Sequence, residues 1–86
     1  MNNKYVLVHI DRDETAYATI STPDEIINAI SFRDCTEEMH RIYRVEKDGA
    51  LTELKGYGTW HCADVLYIKI TDQDGNIEFD GYGTDH

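Results

Sequence analysis

The sequence predicts an α+β fold: an antiparallel β-sheet of about five or six strands, in the order ββαββββ, with one short helix packed on one face. Three observations predict it. Short runs along most of the chain alternate with the period of two that strands require. A single segment carries a helix-start signal followed by apolar residues at helical spacing. The second half repeats a hairpin pattern, each copy closing on Gly-Tyr-Gly-Thr-x-His.

The first run, Tyr5 to Ile10, places Val6, Val8 and Ile10 on one face. Asp11 to Glu14 is polar and turn-like, and Thr15 to Ile20 alternates again with Ala16, Ala18 and Ile20 together. A hairpin with a four-residue loop joins the two. Thr22-Pro23-Asp24-Glu25 then starts the helix. Thr22 caps it, Pro23 suits the first helical position and Glu25 completes a capping box. Ile26, Ile27, Ala29 and Ile30 supply the apolar stripe, and the helix fades near Ser31 to Arg33. A helix this short needs packing against a sheet to persist. Thr36-Glu37-Glu38 reads either as a short second helical turn or as loop.

Arg41 to Lys47 and Leu51 to Tyr57 flank the turn signal Asp48-Gly49. Val65 to Thr71 and Ile77 to Asp80 flank Asp74-Gly75. The units 41–61 and 65–86 therefore read as a duplicated hairpin within one domain spanning 1–86. Gly56-Tyr57-Gly58-Thr59-Trp60-His61 and Gly81-Tyr82-Gly83-Thr84-Asp85-His86 agree at five of six positions. Glycine at a strand end allows a bulge, a positive φ or a close backbone approach. The architectural reading is that the glycines turn the chain and the tyrosines cap the core edge. The functional reading is that the tyrosines form a contact platform. Trp60 carries the same pair of readings, as a cover over one end of the core or as a contact hot spot.

One short helix covers one face of such a sheet. The other face is then polar, or is used for a homodimer or a partner, with Tyr5, Leu7, Tyr17, Tyr43 and Tyr67 contributing to it.

Charge narrows the partner classes. The formal net charge is −9, with residues 1–47 at −3 and residues 48–86 at −6. Direct binding of nucleic acid or an anionic membrane needs a positive patch, so both are excluded as expected partners. The start of the chain lacks the long apolar stretch of a signal peptide, and no run approaches a membrane span. The expected location is cytoplasmic, where Cys35 and Cys62 remain free thiols.

No complete catalytic motif occurs. There is no Gly-x-Ser-x-Gly elbow and no phosphate-cradling glycine loop. Asp72-x-Asp74-x-Asn76 starts like an EF-hand loop but has Ile77 where that loop needs glycine and Gly83 where it needs glutamate. The leading expectation is a non-enzymatic acidic binding protein, without cofactor, acting through protein–protein contact. In composition alone it resembles the inhibitors that phages direct against host defences, including nucleic-acid mimics. Tyr57, Trp60 and Tyr82 are the expected contacts, with Asp72, Asp74, Glu78 and Asp80 as the acidic surface for a basic partner. The alternative is a small-ligand or metal-binding domain using His61, Cys62 and His86, whose residue types suit a metal but whose spacing matches no standard ligand motif. A small enzyme would need a pocket joining a thiol to a histidine.

Overall fold

The computed structural model describes residues 3–10, 13–30 and 40–84. Its strands are β1 (Lys4–Ile10), β2 (Ala16–Ser21), β3 (His40–Val45), β4 (Leu51–Cys62), β5 (Val65–Thr71) and β6 (Ile77–Thr84), with helix α1 (Pro23–Ala29) between β2 and β3. They form one six-stranded sheet in the order β2-β1-β3-β4-β5-β6, and every pairing is antiparallel. This is the α+β class and the element order that the sequence predicts.

The helix begins as its first four residues dictate. The Thr22 hydroxyl accepts the Glu25 N–H at 3.2 Å, and a Glu25 carboxylate oxygen accepts the Thr22 N–H at 3.0 Å. That reciprocal pair satisfies two of the helix's otherwise unpaired donors. The helix ends at Ala29, because Ile30 is already extended. Ser31 to Arg33, Thr36-Glu37-Glu38 and Cys35 lie outside the described residues.

Strand β4 is the longest, at 12 residues, and changes partner midway. Leu51 to Leu54 pair with β3, while Lys55 to Cys62 pair with β5. Both Gly-Tyr-Gly segments therefore flank the same strand. Gly56 and Gly58 stand opposite Ile70 and Ile68 from one side, and Gly81 and Gly83 stand opposite Ile68 and Leu66 from the other. These glycines do not turn the chain, since β4 and β6 run straight through them. Close approach is required at Gly83, where a Cβ would stand only 3.0 Å from the Ile27 carbonyl oxygen, while at Gly81 it would meet Ile27 at an ordinary 3.5 Å. Bare backbone at Gly83 lets α1 settle onto β6. Leu66, Ile68 and Ile70, together with Ile26 and Ile30, are then fully buried.

The two hairpin turns are built alike. Gly49 N–H donates to the Glu46 carbonyl at 3.0 Å, and Gly75 N–H to the Asp72 carbonyl at 3.2 Å. Each glycine has φ near +90°, at +89° and +90°. This is the three-residue hairpin loop that closes on a left-handed residue, which explains Asp-Gly at both places.

The core lies on the helix side, and it reverses one expectation. Tyr5 and Leu7 are 4% and 7% exposed and belong to the core, while Val6, Val8 and Ile10 face away from it. Period-two spacing cannot assign the faces of β1, because both of its faces are apolar. The choice is made by Tyr5, whose ring meets Phe79 edge-on at 4.9 Å and whose hydroxyl donates to Glu78 at 3.0 Å. On the same side His9 Nδ1 lies 3.0 Å from Nε2 of the buried His40.

Candidate binding surface

Among the described residues the helix covers only one side of the sheet, and the register fixes what the other side presents. On β4, β5 and β6 that open face carries Tyr57 opposite Lys69 and Tyr67 opposite Tyr82. Tyr57 is 48% exposed and Tyr82 60% exposed, so these tyrosines do not cap the core. They form a connected platform. The Tyr67 and Tyr82 rings lie 5.6 Å apart, His61 packs 4.8 Å from Tyr82, and the Lys69 ammonium sits 5.7 Å above Tyr57. These separations are those of ordinary ring contacts and a cation–π pair. The Tyr67 hydroxyl donates to Asp80 at 2.7 Å, and this bond to a carboxylate holds the phenol's pKa above its ordinary value.

On β1, β2 and β3 the same face mixes aliphatic side chains with Tyr43, Lys4 and Arg41. Val6 stands opposite Ile20 on one side and Tyr43 on the other, and Val8 stands opposite Ala18. Seven large apolar residues are exposed among the described residues: Tyr17, Ile20, Leu51, Tyr57, Trp60, Ile77 and Tyr82. Five of them (Ile20, Leu51, Tyr57, Ile77 and Tyr82) lie on the open face by strand register. Tyr17 and Trp60 lie on the helix side. Trp60 stands opposite Leu66 at the end of β4, at 54% exposure, away from Tyr57 and Tyr82.

The acidic residues do not form one surface. Asp72 is bound into its turn, where one carboxylate oxygen accepts both the Asp74 and Asn76 N–H groups at 2.9 Å. The Asn76 backbone bond is the main cause of its lowered pKa. Asp74 is exposed at the tip of that turn. Asp80 is committed to Tyr67 on the open face. Glu78 occupies the irregularity where β6 slips against β5, and it points back toward the core. It binds Arg44 Nη1 at 2.7 Å and the Tyr5 hydroxyl at 3.0 Å, with only 12% of its side chain exposed. Glu78 is thus a strut joining β6 to β1 and β3. The sequence offered no sign of this, because its partners lie 73 and 34 residues away.

The metal and catalytic readings gain little. His61 and Cys62 sit at the end of β4, where the pairing to β5 shifts, and Cys62 is exposed. His86 lies outside the described residues. Among the described residues no three His, Cys, Asp or Glu side chains gather as a metal site. An open groove of 630 Å³ runs between the helix start and β6, lined by Tyr5, Ile20, Thr22, Glu25, Glu78 and Phe79 among others. Of its polar groups, Thr22 and Glu25 are engaged in the capping box and Tyr5 and Glu78 in the strut to Arg44. Neither a thiol nor an imidazole lines it. No described helix is long and apolar enough to cross a membrane.

No family model, curated protein or solved structure matches this chain.

Proposed function

We propose that the chain is a non-enzymatic protein-binding module whose contact surface is the open face of the sheet. One observation carries this reading. The exposed large apolar side chains gather on the face opposite the helix, five of seven among the described residues, and tyrosines form their polar half. Tyrosine supplies contact area at low entropic cost and keeps a polar tip for a partner's hydrogen bond. Contiguous apolar surface on a small chain marks an interaction site more often than scattered residues do.

The charge distribution supports a basic partner at the margin of that face. Asp48, Asp72 and Asp74 sit in the β3–β4 and β5–β6 turns, which emerge at the same end of the sheet. Asp24 and Glu25 open the helix that follows β2 at that end as well. Charges placed there steer encounter more than they hold the complex. Close mimicry of nucleic acid is the weaker form of the reading, because Asp72, Glu78 and Asp80 are each engaged inside the fold.

The test is capture of a partner from the native host by immobilised protein. Tyr57→Ser with Tyr82→Ser should abolish capture, and Tyr17→Ser on the helix side should leave it intact. Reversing Asp48 and Asp74 to lysine should slow association at low salt and leave dissociation nearly unchanged. Equal capture by the tyrosine pair variant and the wild type refutes the assignment of the open face.

A further inference from the structure

We propose that the occupant of the open face is an acidic, extended segment of another protein, laid across a cationic cluster at the middle of the sheet. This rests on reading the open face as a protein-binding surface, and it names the chemistry of the partner.

The chain sorts its charges unevenly. Acids outnumber bases by 17 to 8, yet among the described residues the open face carries Lys4, Arg41, Lys55 and Lys69 against Glu53 and Asp80. Both acids are already engaged. Glu53 meets Arg41 at 3.8 Å, and Asp80 accepts the Tyr67 hydroxyl at 2.7 Å. Although Asp80 stands opposite Lys69, neither Lys69 nor Lys55 enters an ion pair among the described residues. Cations left without a carboxylate in so acidic a chain offer their charge to an outside anion.

Register places three of the four together. Arg41 and Lys55 follow the last β3–β4 pair, Ile42 with Leu54, and stand across from each other. Lys69 lies on β5 opposite Tyr57, the next residue after Lys55 on this face of β4. Tyr43, Tyr57, Tyr67 and Tyr82 border the cluster, and the Lys69 ammonium is held 5.7 Å above the Tyr57 ring. Such a site suits carboxylates: ammonium and guanidinium groups take the charge, and phenol hydroxyls donate beside them.

Shape selects an extended segment over a flat surface. Four strand spacings separate β1 from β6, about 19 Å on a flat sheet. The Tyr5 and Phe79 rings of these two strands nevertheless lie 4.9 Å apart on the helix side. The sheet is therefore curled with its open face outward. A flat rigid partner touches a convex face only at its crest, whereas an extended segment bends over it.

The size of the cluster separates a protein segment from nucleic acid. Three adjacent strands span about 10 Å, room for two or three carboxylates. Asp48, Asp72 and Asp74 stand beyond the cluster, in the turns. A polynucleotide carries charge along its whole length and would be driven across those turns. The Debye length at physiological salt is about 8 Å, so the cluster acts on a segment in contact while more distant acids are screened. A segment with an acidic run on the cluster and a basic stretch beside the turns satisfies both charges.

Amide-shift titration of the isotopically labelled full chain tests the inference, with a synthetic peptide of four glutamates followed by four lysines as the probe. The peptide should shift the amides around Arg41, Lys55 and Lys69. Replacing its glutamates with glutamine should weaken binding about tenfold or more. Lys55→Gln with Lys69→Gln in the protein should do the same, with circular dichroism showing that variant folded. Lys47→Gln, at an exposed position in the β3–β4 turn, should not weaken binding. No shift, shifts confined to the turns, or equal affinity for the glutamine peptide overturns the inference. So does a thymidine oligonucleotide that binds the same residues more tightly than the peptide, which would make the face a single-strand platform. If the peptide fails while Tyr57→Ser with Tyr82→Ser still loses partner capture, the open face remains a binding surface and only its acidic occupant is rejected. If capture is also unchanged, the two readings fall together.

Discussion

Ile27 and Gly83 meet with no room between them: a Cβ built on Gly83 would stand 3.0 Å from the Ile27 carbonyl oxygen and 3.3 Å from the Ile68 side chain. The obstructing atom is helix backbone, so it cannot rotate away. Gly83→Ala should destabilise the fold by about 2 kcal/mol, the scale of an overpacked core site. Gly81 is the control, because its added Cβ would meet only Ile27 side-chain carbons at ordinary contact distance, 3.5 Å and beyond. Gly81→Ala should fall within about 1 kcal/mol of wild type, with the loss of unfolded-state entropy working in its favour. Urea midpoints compare the two directly. Equal midpoints for both variants would mean that the helix is not seated on Gly83.

The strut at Glu78 makes a second contrast. Glu78→Ala leaves the buried Tyr5 hydroxyl without its acceptor and removes one of the two carboxylates that Arg44 binds. A loss of about 2 kcal/mol is expected, on the scale of removing one partner from a part-buried polar pair. Asp74→Ala, at an exposed turn tip, should lie within about 0.5 kcal/mol of wild type. Chemical denaturation reads both. A neutral Glu78→Ala would return that carboxylate to the acidic surface.

The element order, the helix start and both Asp-Gly turns were legible because each is written in neighbouring residues. Thr22 caps Glu25 within one turn of chain, and Gly49 and Gly75 are required by the backbone angle of their own loops. What was not legible depends on distant partners. Tyr5 and Leu7 were expected on the uncovered face, yet they are core because Phe79 and Glu78 approach from the far end of the sequence. The repeated Gly-Tyr-Gly was visible as a pattern, but its meaning needed β5 between the two copies and Ile27 above one of them. Tyr57 and Tyr82 were named from the sequence and do share a face. Tyr67 was also expected on the uncovered face and lies there; its bond to Asp80 could be read only once β5 and β6 were known to be adjacent.

Acid should expose the carboxylates that the turns hold. Asp72 is lowered below its ordinary 3.8 by the backbone and side chain of Asn76, and Glu46 below 4.5 by its hydrogen bonds from Arg44 and Thr52. A carboxylate with a depressed folded pKa contributes stability that is full above its unfolded value and is lost as pH falls through the folded value. Thermal midpoints should therefore drop on acidification below the ordinary carboxylate range. Asp72→Asn keeps a neutral acceptor for the turn N–H groups but removes the titration. Its midpoint should lie below wild type at neutral pH and fall less steeply in acid. Parallel curves for the two proteins would exclude a contribution from Asp72.

Alkali probes the open face itself. The Tyr67 phenol is raised above 10.0, first by its hydrogen bond to Asp80, and Tyr5 is raised by burial. A phenol with a raised folded pKa contributes stability that is full below the unfolded value and is lost as pH rises through the folded value. Of the six tyrosines, these two should ionise late in a titration followed by tyrosinate absorbance. Asp80→Asn removes the negative charge beside Tyr67 while keeping an acceptor for its hydroxyl, so one late ionisation should move toward the ordinary value and Tyr5 should not follow. The same substitution leaves Lys69 without the anion opposite it on the face. An unchanged tyrosine titration would mean that the 2.7 Å bond between Tyr67 and Asp80 does not persist in solution.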